Sequence, residues 1–200
     1  MQDNELAQWS ELIGKAIANA MSSLSKMIGQ EIAISSFGLH RTAVTQLAQL
    51  MGGAERVSVS VYVYVAVSDA ADGHMMLIND PEMACGFVDM MMMQPPGTTS
   101  NLGELERSAL AELGNVVGTS FLNVLADSLG ISLHPSPPTV VIDMTGALLD
   151  VVAADTQLRQ DYALMAEASF RAGDRSINGM FIAVPSDGLL MALRGNKSAA

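Results

Sequence analysis

Ser108, Glu112 and Asn115 follow one another at spacings of four and three in SALAELGNVVGTSFLNVLADSLG, residues 108–130. On a helix, at roughly 100° per residue, these side chains fall within roughly 60° of one another, and Glu104 and Thr119 extend the line both ways. A carboxylate and a carboxamide on adjacent turns can meet one target together. The amide donates and accepts hydrogen bonds, so it can hold a water in line with an electrophile. The carboxylate can pair with a cation beside the reacting group. A solvated amphipathic face carries polar residues at the same spacing, so the rest of the chain has to decide between the two readings.

The opposite arc of this helix, Leu110, Leu113, Val117, Phe121 and Val124, is expected to be buried against a sheet. Periodicity predicts an earlier long helix over 4–28 ended by Gly29, a short strand at 31–35 and a helix over 42–51. VSVSVYVYVAV, residues 57–67, alternates with period two and pairs with a strand at 74–78 across an Asp72-Gly73 turn signal. Pro81 opens a helix running to 93. The order then returns: the long helix to 129 with Gly130 after it, a strand at 131–134, a helix near 145–154, strands at 162–170 and 178–184, and a helix from 187.

A constant offset of 101 pairs Glu11 with Glu112, Leu12 with Leu113, Leu24 with Leu125, Ile28 with Leu129, Gly29 with Gly130 and Ile32 with Leu133. The chain is thus read as a duplicated unit, half-repeats 4–94 and 103–195 joined by the Pro- and Gly-rich linker 95–102. Each half alone would leave a sheet edge exposed, so the two should share one sheet. The expected fold is a single α+β (α/β) domain over 1–200. It has pseudo-two-fold symmetry and a continuous, mainly antiparallel sheet of about six strands, with the long helices packed on it.

Two hundred residues, half of them hydrophobic, supply a core. A net charge of −11 speaks against nucleic acid, whose phosphates need clustered Lys and Arg. The lone Cys85 allows no internal disulfide and fits a reducing compartment; inside an apolar helix it reads as core. The N-terminus lacks the pattern of a secretory signal, and no run of about 18 uninterrupted apolar residues suggests membrane insertion, so a cytoplasmic location is expected. His40, His74 and His134 lack metal-ligand spacing, and no Gly-rich phosphate loop or nucleophile elbow is present, so neither a bound metal nor a nucleotide cofactor is expected.

The pairing of Glu with a Gly-Asn two residues on, in a duplicated helix-and-sheet unit, resembles the CheC, CheX and FliY family of chemotaxis phosphatases. Length and the presence of both repeats fit the CheC type. The family motif is Ser or Asp, Glu four positions later, Asn three after that, and Pro twenty-two beyond, matched here by Ser108, Glu112, Asn115 and Pro137. In the first repeat Glu11 survives, but Ala7, Gly14 and Ser36 replace the other three, so that site is expected to be silent. Asn19 lies on another face.

The resemblance implies a phosphatase acting on the aspartyl phosphate of a CheY-like response regulator, with Mg2+ supplied by that partner and no cofactor held by this chain. Asn115 would align the water, Glu112 would contact the regulator's active-site lysine, and Ser108 would support the pair. It also implies the receptor deamidase CheD as a candidate second partner and leaves the oligomeric state open. The alternative within the same architecture is a non-catalytic binding or adaptor module of the flagellar switch, like FliM or FliY, or a regulator that binds CheD.

Fifteen methionines include the run Met90 to Met93, which must cover every side of a helix, so at least one should face solvent or a partner. Tyr62 and Tyr64 read as cross-strand packing. Trp9 reads as a half-buried staple or a retained contact, and the tail 194–200 as mobile.

Overall fold

In the computed structural model, which describes residues 3–67, 71–156, 162–173 and 175–184, the chain opens with α1 (Asp3–Ile28), β1 (Ile32–Ala43), a 3-10 turn (Val44–Gln46) and α2 (Leu47–Leu50). The hairpin β2 (Val57–Val67) and β3 (Ala71–Asn79) follows, then α3 (Pro81–Met91). The second half runs α4 (Glu104–Leu129), β4 (Leu133–Pro135), β5 (Thr139–Met144), α5 (Thr145–Thr156), β6 (Tyr162–Ala172) and β7 (Arg175–Val184). The offset of 101 carries α1 onto α4 at both ends, and Gly29 and Gly130 end the two helices at φ +67° and +66°, a left-handed conformation that favours glycine.

One antiparallel sheet takes the order β1-β6-β7-β3-β2, with β4 and β5 both on the outer side of β2. The first strand of each half pairs with the hairpin of the other: β1 with β6, and β4 and β5 with β2. The two hairpins meet at β3 and β7. The pseudo-two-fold axis therefore passes between β3 and β7, and both halves build one sheet.

On one face of this sheet α1, α3 and α4 pack over Val59, Val61, Val63, Val65 and the alternate residues of β6. On the other, α2 and α5 cover a smaller core of Met76, Ile78, Met165 and Ile182. The period-two run of β2 explains the split: valines enter the first core, while Ser58 and Tyr62 face the second, where Ser58 Oγ lies 2.8 Å from Thr145 Oγ1 and Tyr62 Oη lies 2.8 Å from His74 Nδ1. The pairs read from the repeat are buried together: Leu12 and Leu113, Leu24 and Leu125, Ile28 and Leu129. Helix α4 has the length and hydropathy of a bilayer-crossing segment, but here Leu110, Leu113, Phe121 and Leu125 lie in the core.

Among the described residues seven strands stand where about six are expected; β5, directly after Pro137 and Pro138, is the additional one. The same offset takes β1, residues 32–43, onto 133–144, so β4 and β5 together are the copy of β1, interrupted at 136–138. Strand β1 is irregular at the matching place, between Ile34 and Ser36. The inserted residues are serines at equivalent positions, and both reach the partner strand: Ser35 Oγ donates to the Ser169 carbonyl at 3.1 Å, and Ser136 Oγ accepts from the Tyr64 N–H at 3.0 Å.

Other boundaries shift as well. β1 runs past the 31–35 segment through the irregularity to Ala43, so the expected helix over 42–51 shrinks to one 3-10 turn and α2. Asp72 and Gly73 pair with Ala66 and Val65 inside the hairpin ladder and do not form its turn. Trp9 is fully buried rather than a half-buried staple, and Cys85 is only half-buried. Val117 and Val124 are half-buried too. The helix expected to run to 93 stops at Met91, so the four methionines do not share one helix: Met90 is buried on α3, and Met93, 78 % exposed, lies past its end at φ +54°. The helix expected from 187 and the tail 194–200 lie outside the described residues.

Candidate functional site

Helix α4 presents Glu104, Ser108, Glu112, Asn115 and Thr119 to solvent along one line, with Leu110, Leu113 and Phe121 buried behind them. The Ser108 hydroxyl donates to the Glu104 carbonyl at 2.9 Å, so it is turned along its own helix. Among the described residues the side chains of Glu112 and Asn115 make no hydrogen bond or ion pair, and their carboxylate and amide are free to act on something outside the chain. Pro137 is exposed in the 136–138 connection beside the helix.

What holds this face in place is Gly114, between the two polar residues. A Cβ there would overlap a Val61 methyl and stand 3.4 Å from Pro138 Cβ. One turn on, a Cβ at Gly118 would stand 2.8 Å from Met75 Cε. The two glycines thus seat α4 directly on β2 and on the connection that carries Pro137. The first repeat reverses the volumes. Ile13 and Ile17 replace the two glycines, and Ala166 and Ala168 of β6 stand where β2 has Val61 and Val63. Close-packed interiors conserve total volume in this way. Nothing in the sequence reading singled out Gly114 for packing; the spacing of two glycines four apart on an apolar helix was the available signal.

The linker that leads into α4 is held by Asp89 of α3, only 1 % exposed. Its carboxylate accepts the backbone N–H groups of Gly97 at 2.7 Å, Thr98 at 3.2 Å and Thr99 at 2.8 Å, clamping the linker between the halves. Burial alone would raise this carboxyl, but the bonds from the Thr99 side chain and the three amides outweigh it and hold Asp89 below the ordinary aspartate range. Burial pushes the Cys85 thiol up, and the charges of Asp89, Glu106 and Glu82 add to it.

On α1 the matching face is different. Glu11 is exposed, but the Lys15 ammonium lies 2.6 Å from its Oε1 and, first by that hydrogen bond and then by its charge, lowers the Glu11 carboxyl. Gly14 offers no side chain, and Ser36 is exposed where the second repeat has Pro137. The position equivalent to Lys15 is Val116, so α4 supplies Glu112 with no such cation. Asn19 is bound up elsewhere: its Nδ2 donates to the Ser120 carbonyl at 3.0 Å, where the long helices cross.

Among the described residues no three His, Cys, Asp or Glu side chains come together as a metal site. An open depression of about 480 Å3, lined by Ser36, Met51, Arg56, Asp80 and Glu167 among others, lies apart and includes none of Ser108, Glu112, Asn115 and Pro137.

A duplicated α+β unit with long paired helices on one antiparallel sheet is the fold shared by FliY and CheX. The match to Thermotoga maritima FliY has a TM-score of 0.71 at 20 % identity and covers 98 % of this chain and 96 % of that one. The match to CheX, from the Borrelia burgdorferi CheX–CheY–BeF3–Mg2+ complex, has a TM-score of 0.52 at 18 % identity and covers 86 % and 96 %.

In sequence, residues 105–142, which hold Ser108, Glu112, Asn115 and Pro137, match the CheC-like family model. The chain is also 26 % identical over 153 residues to the CheY-P phosphatase CheC of Bacillus subtilis, covering 76 % of this chain and 72 % of that protein. It is similar to the CheC-type chemotaxis proteins, as its repeated helix and motif imply.

Proposed function

We propose that this protein is a hydrolase that removes phosphate from the aspartyl phosphate of a CheY-like response regulator. The observation that carries the reading is that Glu112 and Asn115 stand exposed on adjacent turns, without internal partners among the described residues, on a helix seated on the sheet by Gly114. The silent copy supports it by contrast, with Glu11 already neutralised by Lys15 and Gly14 lacking an amide. The name of the Bacillus subtilis relative and the CheY bound to the Borrelia CheX support the choice of substrate.

In this mechanism α4 docks over the phosphorylated aspartate. Asn115 accepts a hydrogen bond from a water and donates toward the phosphoryl group, aligning the water oxygen with phosphorus opposite the aspartyl oxygen. The new P–O bond forms as the phosphorus–aspartyl bond breaks, the aspartate returns as carboxylate, and inorganic phosphate leaves with the water's proton lost to solvent. Glu112 pairs with the partner's lysine and sets the register. Mg2+ would be held by the partner and would supply charge neutralisation at the phosphoryl group. Ser108 and Pro137 support the two. An acyl phosphate hydrolyses unaided, so positioning worth about 10²-fold is enough. On this reading the protein works in the cytoplasm, where such regulators are found, and CheD is a further candidate partner.

The test follows phosphate release from phosphorylated response regulators of the same organism, with magnesium present. Asn115→Ala should slow release by on the order of 10²-fold while binding persists; an unchanged rate removes the mechanism. The likeness to the FliY fold favours a second reading, a non-catalytic switch module, which wild-type protein that binds a regulator without accelerating phosphate loss would support.

A further inference from the structure

The two copies of the long helix allow their outward faces to be compared position by position. Beside the polar row of α4 runs a second row, Leu105, Ala109 and Val116, on the side of the helix toward which Glu112 leans. Leu105 is 62 % exposed, and Ala109 and Val116 are half-buried. At the matching positions α1 has Asn4, Gln8 and Lys15. An isolated surface leucine needs no explanation. Here all three apolar residues turn polar or charged in the same copy that has lost the Ser and the Asn.

We propose that Leu105, Ala109 and Val116 form the docking strip for the receiver domain on which Glu112 and Asn115 act. The inference rests on the phosphatase reading of the neighbouring row. Leu105 and Glu112 are two turns apart, about 10 Å along the axis, so the partner must carry an apolar patch at about that distance from its cation. Contiguity points to the same occupant: the strip adjoins Glu112, so a partner that brings a cation to that carboxylate also covers Leu105, Ala109 and Val116. The chain is acidic overall, and Glu104 and Glu112 border the strip. The basic residue of α4, Arg107, is turned back, its Nε donating to the Leu102 carbonyl at 3.1 Å. Apolar burial supplies affinity, and the carboxylate supplies register and discrimination between partners.

The experiment places the residues of α1 on α4, as Leu105→Asn with Ala109→Gln, and measures phosphate release against regulator concentration. The expected result is a KM about 10-fold higher with kcat at saturation unchanged, and an unchanged circular dichroism spectrum. Leu105→Ala, which keeps helix propensity, should move KM in the same direction. A wild-type KM in both variants of an active enzyme overturns the strip and leaves the phosphatase reading standing. A fall in kcat at constant KM overturns it as well. Wild-type protein that releases phosphate from no regulator overturns the phosphatase reading, and the strip with it.

Discussion

Lys15 Nζ sits 2.6 Å from Glu11 Oε1, and the position that would repeat this contact beside Glu112 is occupied by Val116. The two copies thus hold one carboxylate satisfied from within and one without an internal partner among the described residues. Installing the missing cation should undo the difference. In Val116→Lys the ammonium would lie one turn from Glu112 and repel the partner's own cation, lowering kcat/KM on the order of 10-fold at low salt. Measured against ionic strength, the deficit should shrink as screening increases. A deficit that is the same at all salt concentrations would point to packing instead.

Glu112→Ala should behave differently from Asn115→Ala. On the proposed mechanism, removing the carboxylate takes away the charge contact that sets register, so both regulator binding and turnover should fall, whereas loss of the amide should spare binding. Titration of each variant with phosphorylated regulator separates the two. Wild-type affinity in Glu112→Ala would remove the lysine contact from the mechanism.

Gly114→Ala sets two terms against each other. Alanine gains about 1 kcal/mol in helix propensity. Its Cβ, however, meets a branched Val61 methyl and Pro138, where overpacking costs about 1–3 kcal/mol. Net destabilisation with reduced phosphatase activity is expected, because α4 must lift from β2. Val61→Ala in the same chain should recover a good part of both, and a double-mutant cycle on Tm and rate reads the coupling directly.

Asp89 makes stability depend on pH. Its carboxyl is depressed in the folded protein, so its contribution is fully present above the unfolded aspartate value and is lost as pH falls through the lower folded value. Asp89→Asn should cost about 1–3 kcal/mol near neutral pH, since one amide group cannot accept all three N–H donors. The gap between wild type and variant should close below the ordinary aspartate range. Denaturant melts at several pH values provide the check, and a gap that widens in acid would contradict the clamp.

Much of this architecture can be read before any coordinates. The offset of 101 is visible because Leu24 and Leu125, or Ile28 and Leu129, must fill the same place in two copies of one packing scheme. The polar row of α4 is visible because a helix this apolar shows every polar exception. What escapes is non-local. Pro137 and Pro138 read as an end to extended structure, yet they only interrupt a strand whose pairing partner lies over 70 residues away. Asp72-Gly73 carries a turn signal, but the ladder with Val65 and Ala66 overrides it. The role of Gly114 depends on Val61, and no local pattern reports that the two meet.

The exchange of first strands between halves bears on how such a chain could arise. A single ancestral copy would have a leading strand that leaves its own hairpin, as β1 does here, and would build this same sheet by trading that strand with a second molecule. Fusion at the segment that Asp89 now clamps would have made the trade permanent. Once the copies were one polypeptide, one helix could keep an exposed Ser, Glu and Asn while the other drifted, a freedom that identical subunits encoded by one gene do not have.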